Sequence, residues 1–127
     1  MVTRLTLFLC TLCTIGIVHL LATSFYLYWK YPWFDIPMHF LGGVVCAFGF
    51  SILPFFRITL PTRCTTVYGY VAFVLAVGIA WEIFEVVSGI SLQEHDYIID
   101  TLTDIGMDIG GTLSAYLFIR RGTIITT

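Results

Sequence analysis

Three aspartates recur at intervals of four residues in an apolar segment near the end of the chain: Asp100, Asp104 and Asp108. Residues at i, i+4 and i+8 of an α-helix lie along one stripe, so the three carboxylates face the same way. Carboxylates of this kind bind divalent cations or take part in proton transfer. A stripe of acids on an apolar helix therefore requires cationic or proton-sharing partners.

Two other segments carry acidic or histidine side chains at helical spacing. Asp35 and His39 are four residues apart, and Glu82 and Glu85 are three apart, so each pair lies on one helical face. Carboxylates together with histidine suit Mg, Mn, Fe or Zn, and helix-bundle cores are known places for such sites. The pattern predicts a divalent metal site of unidentified metal, with ligands drawn from Asp35, His39, Glu82, Glu85, Asp100, Asp104 and Asp108.

Composition places these residues in an integral membrane protein. The 127 residues are 58% hydrophobic and only 11% charged, which is typical of a membrane protein rather than a soluble domain. The lipid bilayer is therefore the predicted partner, and the absence of a basic patch argues against nucleic acid. The length predicts one transmembrane domain covering residues 1–127.

Hydropathy predicts an all-α, four-helix bundle. Each apolar run is long enough to cross a bilayer at about 20 residues per helix. The small residues Gly106 and Gly110 are predicted to pack against a neighbouring helix on the face away from the aspartates. The predicted spans are residues 5–28, 34–56, 65–87 and 98–119.

The basic residues predict the orientation of these spans. Five arginines flank the N-terminus, the second loop and the C-terminus, whereas Lys30 alone lies on the other side. The positive-inside rule then places both termini in the cytoplasm of a multi-pass protein of the inner (cytoplasmic) membrane. As a consequence, the acids and His39 lie towards the outward ends of their helices, and His19 is placed to reach the floor of their pocket.

Burying several carboxylates in a membrane needs compensation. One charged side chain costs about 2.5–3.5 kcal/mol on insertion scales, and the predicted spans contain no Lys or Arg to pair with the acids. Bound metal, shared protons and a water-filled vestibule all remain open as solutions. A further alternative is a network of hydrogen bonds that only locks the helices together.

Other reactive side chains are given structural interpretations. Cys10 and Cys13 are interpreted as small buried hydrophobic residues rather than a redox or metal pair. His95, in the polar stretch 88–96, is interpreted as a solvated loop residue. No nucleophile motif supports a serine triad.

The ordered motifs resemble a known family. Asp35-x-x-x-His39-Phe-x-Gly-Gly43, Trp81-Glu82-x-x-Glu85 and the aspartate repeat ending at Gly111 are similar to the small bacterial membrane proteins of the YjdF type, and more distantly to the VanZ-like family. The chain departs from the distant family by having Ile36-Pro37 after the first acid and an acid at Glu85. The resemblance implies a multi-helix cell-envelope protein, with VanZ linked to glycopeptide-antibiotic tolerance.

The leading functional hypothesis is a metal-dependent hydrolase or transferase acting on lipid-linked or envelope substrates at the outer leaflet. Asp35 and Asp100 would orient the other groups or lie at the mouth of the site. The alternatives are a cation or proton pathway, or a non-catalytic protein of membrane assembly or antibiotic tolerance. Catalytic duty is assigned to His39, Glu82, Glu85, Asp104 and Asp108.

Overall fold

The computed structural model describes residues 2–89 and 97–124, and no strand occurs among them. The predicted all-α fold is confirmed. Short 3-10 turns at Pro32–Phe34, Leu53–Phe56 and Thr62–Thr65 flank the membrane-length helices. The α-helices are α1 (Val2–Ser24), α2 (Leu27–Lys30), α3 (Asp35–Ile52), α4 (Val67–Ser88) and α5 (Tyr97–Ile124).

The chain turns within the aromatic segment that follows α1. Helix α1 ends at Ser24, four residues before the predicted limit of the first span, because Tyr26 adopts a left-handed backbone conformation with φ 58°. The short helix α2 and the Pro32–Phe34 turn then lead into α3. Hydropathy did not reveal this break, since Phe25 and Leu27 continue the apolar run beyond Ser24.

The closest helix packing joins α3 and α5. A Cβ atom on Gly43 would overlap the backbone oxygen of Asp108, and one on Gly111 would overlap the backbone oxygen of Phe40. Only glycine lets the two backbones approach this closely. The prediction that Gly106 packs against a neighbouring helix is wrong, because a Cβ atom added to it would have no neighbouring atom within 4 Å.

Packing divides the long helices into a compact part and a peripheral helix. Helix α5 packs against both α3 and α4, whereas α1 packs mainly against α3.

Cys10 and Cys13 are exposed on α1, so their interpretation as buried residues is wrong. In a bilayer an exposed apolar face contacts lipid, which removes the pressure to bury it in protein.

The apolar core lies at the end of the helices away from the acids. Its aromatic side chains interlock, with Phe50 stacked on Phe73 at 4.7 Å and in edge contact with Tyr70 at 5.0 Å between ring centroids. Arg57 and Arg63 are in the connection at this end. The buried core consists of Ala47, Phe48, Phe50, Tyr70, Ala115 and Ile119.

Several helices have the length and composition of membrane spans. Among the described residues, the segments Arg4–Ser24, Pro32–Phe56 and Val67–Ser88 meet both conditions. Helix α5 has 28 residues, about 42 Å at 1.5 Å per residue, but its aspartates lower its hydropathy. Its role as the fourth span stays a prediction.

His95, interpreted above as a solvated loop residue, lies outside the described residues.

Candidate metal centre

His39 lies between carboxylates from two helices. Its Nε2 atom is 3.5 Å from Asp35 Oδ2, one turn earlier on α3, and 3.8 Å from Asp104 Oδ2 on α5. The histidine is buried, and the aspartate–histidine spacing predicted from the sequence places both side chains on one face. The close approach of α3 and α5 brings Asp104 to the same atom.

Asp108 lies on the opposite side of the imidazole ring. Its Oδ1 atom is 3.5 Å from His39 Nδ1. A Cβ atom on Gly78 of α4 would be only 2.8 Å from Asp108 Oδ2, so this glycine provides the space that the carboxylate occupies. Residues of three helices therefore define the position of Asp108. Asp108 faces Nδ1 of His39, whereas Asp35 and Asp104 face Nε2.

Asp104 is the most deeply buried acid of the cluster. Its side chain is 1% exposed, and neither carboxylate oxygen has a hydrogen-bond partner among the described residues. A buried polar atom without a partner costs about 1–3 kcal/mol, and more when it is charged. The carboxylate therefore needs a cation or a proton in this position.

The distances around His39 Nε2 fit neighbouring ligands of one cation. One ligand atom from each of Asp35, His39 and Asp104 can be chosen so that all three lie within 4.8 Å of one another. Bonds of about 2.1 Å at tetrahedral angles place neighbouring ligand atoms about 3.4 Å apart. The observed separations of 3.5 and 3.8 Å from His39 Nε2 are close to that value. Direct charge-assisted hydrogen bonds would be shorter, at about 2.7–2.9 Å.

Glu82 lies on α4 and faces the same part of α5. It is 6% exposed, and Thr101 donates a hydrogen bond of 2.6 Å to its Oε2 atom. Its other oxygen, Oε1, has no hydrogen-bond partner in the described part of the chain. The structure therefore places Glu82 next to Thr101 and outside the group formed by Asp35, His39 and Asp104.

Three residues predicted near the pocket lie outside that group. Glu85 accepts a hydrogen bond of 2.9 Å from Trp81 Nε1 on its own helix, and Asp100 is half-buried at the start of α5. His19 is exposed and its Nδ1 atom is 2.9 Å from the Tyr28 hydroxyl, so the prediction that His19 forms the pocket floor is wrong. The floor prediction counted depth along α1 without knowing which way the ring faces.

Tyr28, in the aromatic turn, lies within the electrostatic influence of the acidic residues. Burial, followed by the charges of Asp35 and Glu85, raises the pKa of Tyr28 to about 12. Its protonated hydroxyl can donate a hydrogen bond to His19 Nδ1, 2.9 Å away.

Sequence reasoning missed three residues that shape the centre: Thr101, Thr112 and Gly78. Thr112 is fully buried and donates a hydrogen bond of 3.0 Å to the Gly43 carbonyl oxygen. It continues the four-residue repeat after Asp108, so the spacing itself contained the signal. No such signal marks Gly78, because its role depends on which helix packs next to it.

The family model described as a predicted membrane protein (DUF2238) matches residues 2–123. The chain belongs to this family. The predicted YjdF-type resemblance is thereby confirmed, whereas the VanZ-like link stays a prediction. No curated protein and no solved structure matches this DUF2238 protein.

Proposed function

We propose that this DUF2238 protein is an integral membrane metalloenzyme with a divalent cation held by Asp35, His39 and Asp104. The observation that carries the proposal is Asp104, a carboxylate that is 1% exposed and has no hydrogen-bond partner for either oxygen in the described residues. A cation next to His39 Nε2 would satisfy this carboxylate and neutralise Asp35 at the same time.

The spacing of the ligand atoms favours zinc over magnesium. Three protein ligands with one open position are the arrangement of catalytic zinc sites, and nitrogen with carboxylate oxygen is an accepted ligand set. Octahedral magnesium would place adjacent ligands about 3.0 Å apart, closer than the separations of 3.5 and 3.8 Å from His39 Nε2. When bound, the metal would supply an activated water and a Lewis acid for hydrolysis or group transfer.

The protein residues around the metal have separate tasks. The Asp108 carboxylate, 3.5 Å from His39 Nδ1, would electrostatically favour the tautomer that is protonated on Nδ1 and so leave Nε2 unprotonated as a ligand, as in carboxylate–histidine–metal arrangements. Asp35 and Asp104 provide the negative charge that makes cation binding favourable. Glu85, which is hydrogen-bonded to Trp81, and Asp100 are left outside the ligand set.

The substrate proposal rests on the orientation of the helices. With α5 as a fourth span and both termini cytoplasmic, the metal centre would lie about one turn below the outer surface of the cytoplasmic membrane. Lipid-linked or envelope molecules of the outer leaflet would then be its substrates. Bound cations would also remove the repulsion between the acids and a phosphate group.

Metal content tests this proposal. We expect purified wild-type protein to hold close to one divalent ion per chain by elemental mass spectrometry. The Asp104→Asn variant should lose this ion while remaining folded, because asparagine preserves the shape of the side chain and removes its charge.

Glu85→Gln is the matched control, since Glu85 also lies at the acidic end but is bonded to Trp81. It should keep the metal. A wild-type protein without metal would refute the metalloenzyme and leave protons or structure as the role of the cluster. A cation or proton pathway is disfavoured by the apolar core below the cluster, around Phe48, Phe50 and Ala115.

A further inference from the structure

An open groove of about 250 Å³ runs between α4 and α5 on the side of the molecule next to Glu82. Six of its eight lining residues are apolar or aromatic, and its two polar ones, Glu82 and Thr101, are hydrogen-bonded to each other. The lining residues are Ile79, Glu82, Ile83, Val86, Val87, Tyr97, Thr101 and Ile105.

The walls of the groove belong to the lipid-facing surface. Ile83 and Val87 are 59% and 80% exposed, and both are on α4, a helix long and apolar enough to cross a membrane. From Ile79 to Val87 the groove follows α4 for about 12 Å at 1.5 Å per residue. Hydrocarbon is the material that such walls contact most favourably in a bilayer.

The polar atoms of the groove require a hydrogen-bond donor. Glu82 is buried, and its Oε1 atom has no partner among the residues that the structure describes. Neither α4 nor the part of α5 before Arg120 contains Lys or Arg. A cation held by Asp35, His39 and Asp104 would still leave Glu82 Oε1 without a partner. An ammonium group, which donates up to three hydrogen bonds, is the complement of this carboxylate oxygen.

We propose that this groove binds a phospholipid that has a primary ammonium headgroup, with its hydrocarbon chain along α4 and α5 and its ammonium group at Glu82. The proposal rests on the function proposed above and deepens it, because it assigns the class of lipid that would serve as the substrate. It also gives Glu82 a role in substrate binding in place of the predicted metal ligation.

Lipid binding to the purified full chain in detergent, measured by native mass spectrometry, tests the headgroup. Phosphatidylethanolamine should bind about tenfold more tightly than phosphatidylglycerol with the same chains, a difference typical of one charge-assisted hydrogen bond. Glu82→Gln should abolish this preference by weakening phosphatidylethanolamine alone. Equal binding of the two lipids to wild type, or an unchanged preference in Glu82→Gln, would overturn the proposal.

A second pair of variants tests the groove. Val86→Trp fills it and should weaken both lipids, whereas Val77→Trp places the same bulk on α4 outside the groove and should weaken neither. The two valines are suitable for comparison because they are 42% and 40% exposed. An equal effect of both variants would show that the bound lipid lies elsewhere.

Metal analysis of the same samples separates this proposal from the metalloenzyme. Glu82→Gln should retain the metal of the wild type, and loss of that metal would make Glu82 a ligand and overturn its assignment to the lipid. If wild type holds no metal but keeps the headgroup preference, the metalloenzyme fails and the lipid site stands.

Discussion

His39 has different carboxylates on its two ring nitrogens. Nε2 faces Asp35 and Asp104, and Nδ1 faces Asp108. When a histidine binds a metal through one of these nitrogens, the other carries the proton and faces a carboxylate or another acceptor, so the two sides of the ring have unequal functions. At the residue scale, the chemistry of the centre depends on which aspartate is on which side.

This asymmetry predicts unequal effects of two conservative substitutions. Asp108→Asn should weaken metal binding about 10–100-fold, as expected for loss of a group that orients a ligand. Asp104→Asn should abolish binding because it removes a ligand. Zinc titration of the metal-free proteins measures both affinities. If Asp108→Asn binds as poorly as Asp104→Asn, Asp108 is itself a ligand.

At the scale of the helices, the site depends on the contact between α3 and α5. Gly43 and Gly111 let each backbone touch the other, and the Thr112 hydroxyl joins α5 to the Gly43 carbonyl oxygen. This contact is what holds Asp104 and Asp108 on either side of His39. A methyl group added at Gly43 or Gly111 would push the two helices apart and move both carboxylates relative to His39.

Two glycines of α5 allow a direct test of this contact. Gly111→Ala should destabilise the protein by about 1–3 kcal/mol or more, because the added methyl group overlaps the Phe40 carbonyl. Gly106→Ala should be neutral or stabilise by up to about 1 kcal/mol, since its Cβ position is open and alanine is the better helix former. Thermal unfolding in detergent measures both changes. Equal melting temperatures would contradict the close contact.

At the scale of the whole molecule, the basic residues and the acidic cluster are at opposite ends. Arg57 and Arg63 lie in the connection beyond the apolar core, while the acidic cluster is at the other end of α3 and α5. Such a distribution is the pattern that the positive-inside rule associates with a cytoplasmic basic side. The orientation decides whether the centre meets envelope lipids or cytoplasmic molecules.

Fusion reporters test this orientation. A fluorescent protein joined to the C-terminus should fluoresce, and alkaline phosphatase inserted after Lys30 should be active, because the first folds in the cytoplasm and the second outside it. Active phosphatase both after Lys30 and at the C-terminus would show that α5 does not complete a fourth span.

The sequence alone was enough to predict the four long helices and to identify the polar residues. Periodicity is a local property, so the stripe Asp100, Asp104 and Asp108 and the pair Asp35 and His39 could be recognised without knowing what surrounds them. The four-residue repeat continues to Thr112, one interval beyond Asp108, and Thr112 donates a hydrogen bond to the Gly43 carbonyl oxygen.

Only the tertiary structure decided which of these residues meet. Glu82 and Glu85 are both glutamates of α4, three positions apart. Glu82 accepts a hydrogen bond from Thr101 across the helix interface, whereas Glu85 accepts one from Trp81 on its own helix. Helical spacing defines a face but not the neighbour of that face. The neighbours follow from the glycine contact between α3 and α5 and from the space at Gly78, which depend on residues distant in the chain.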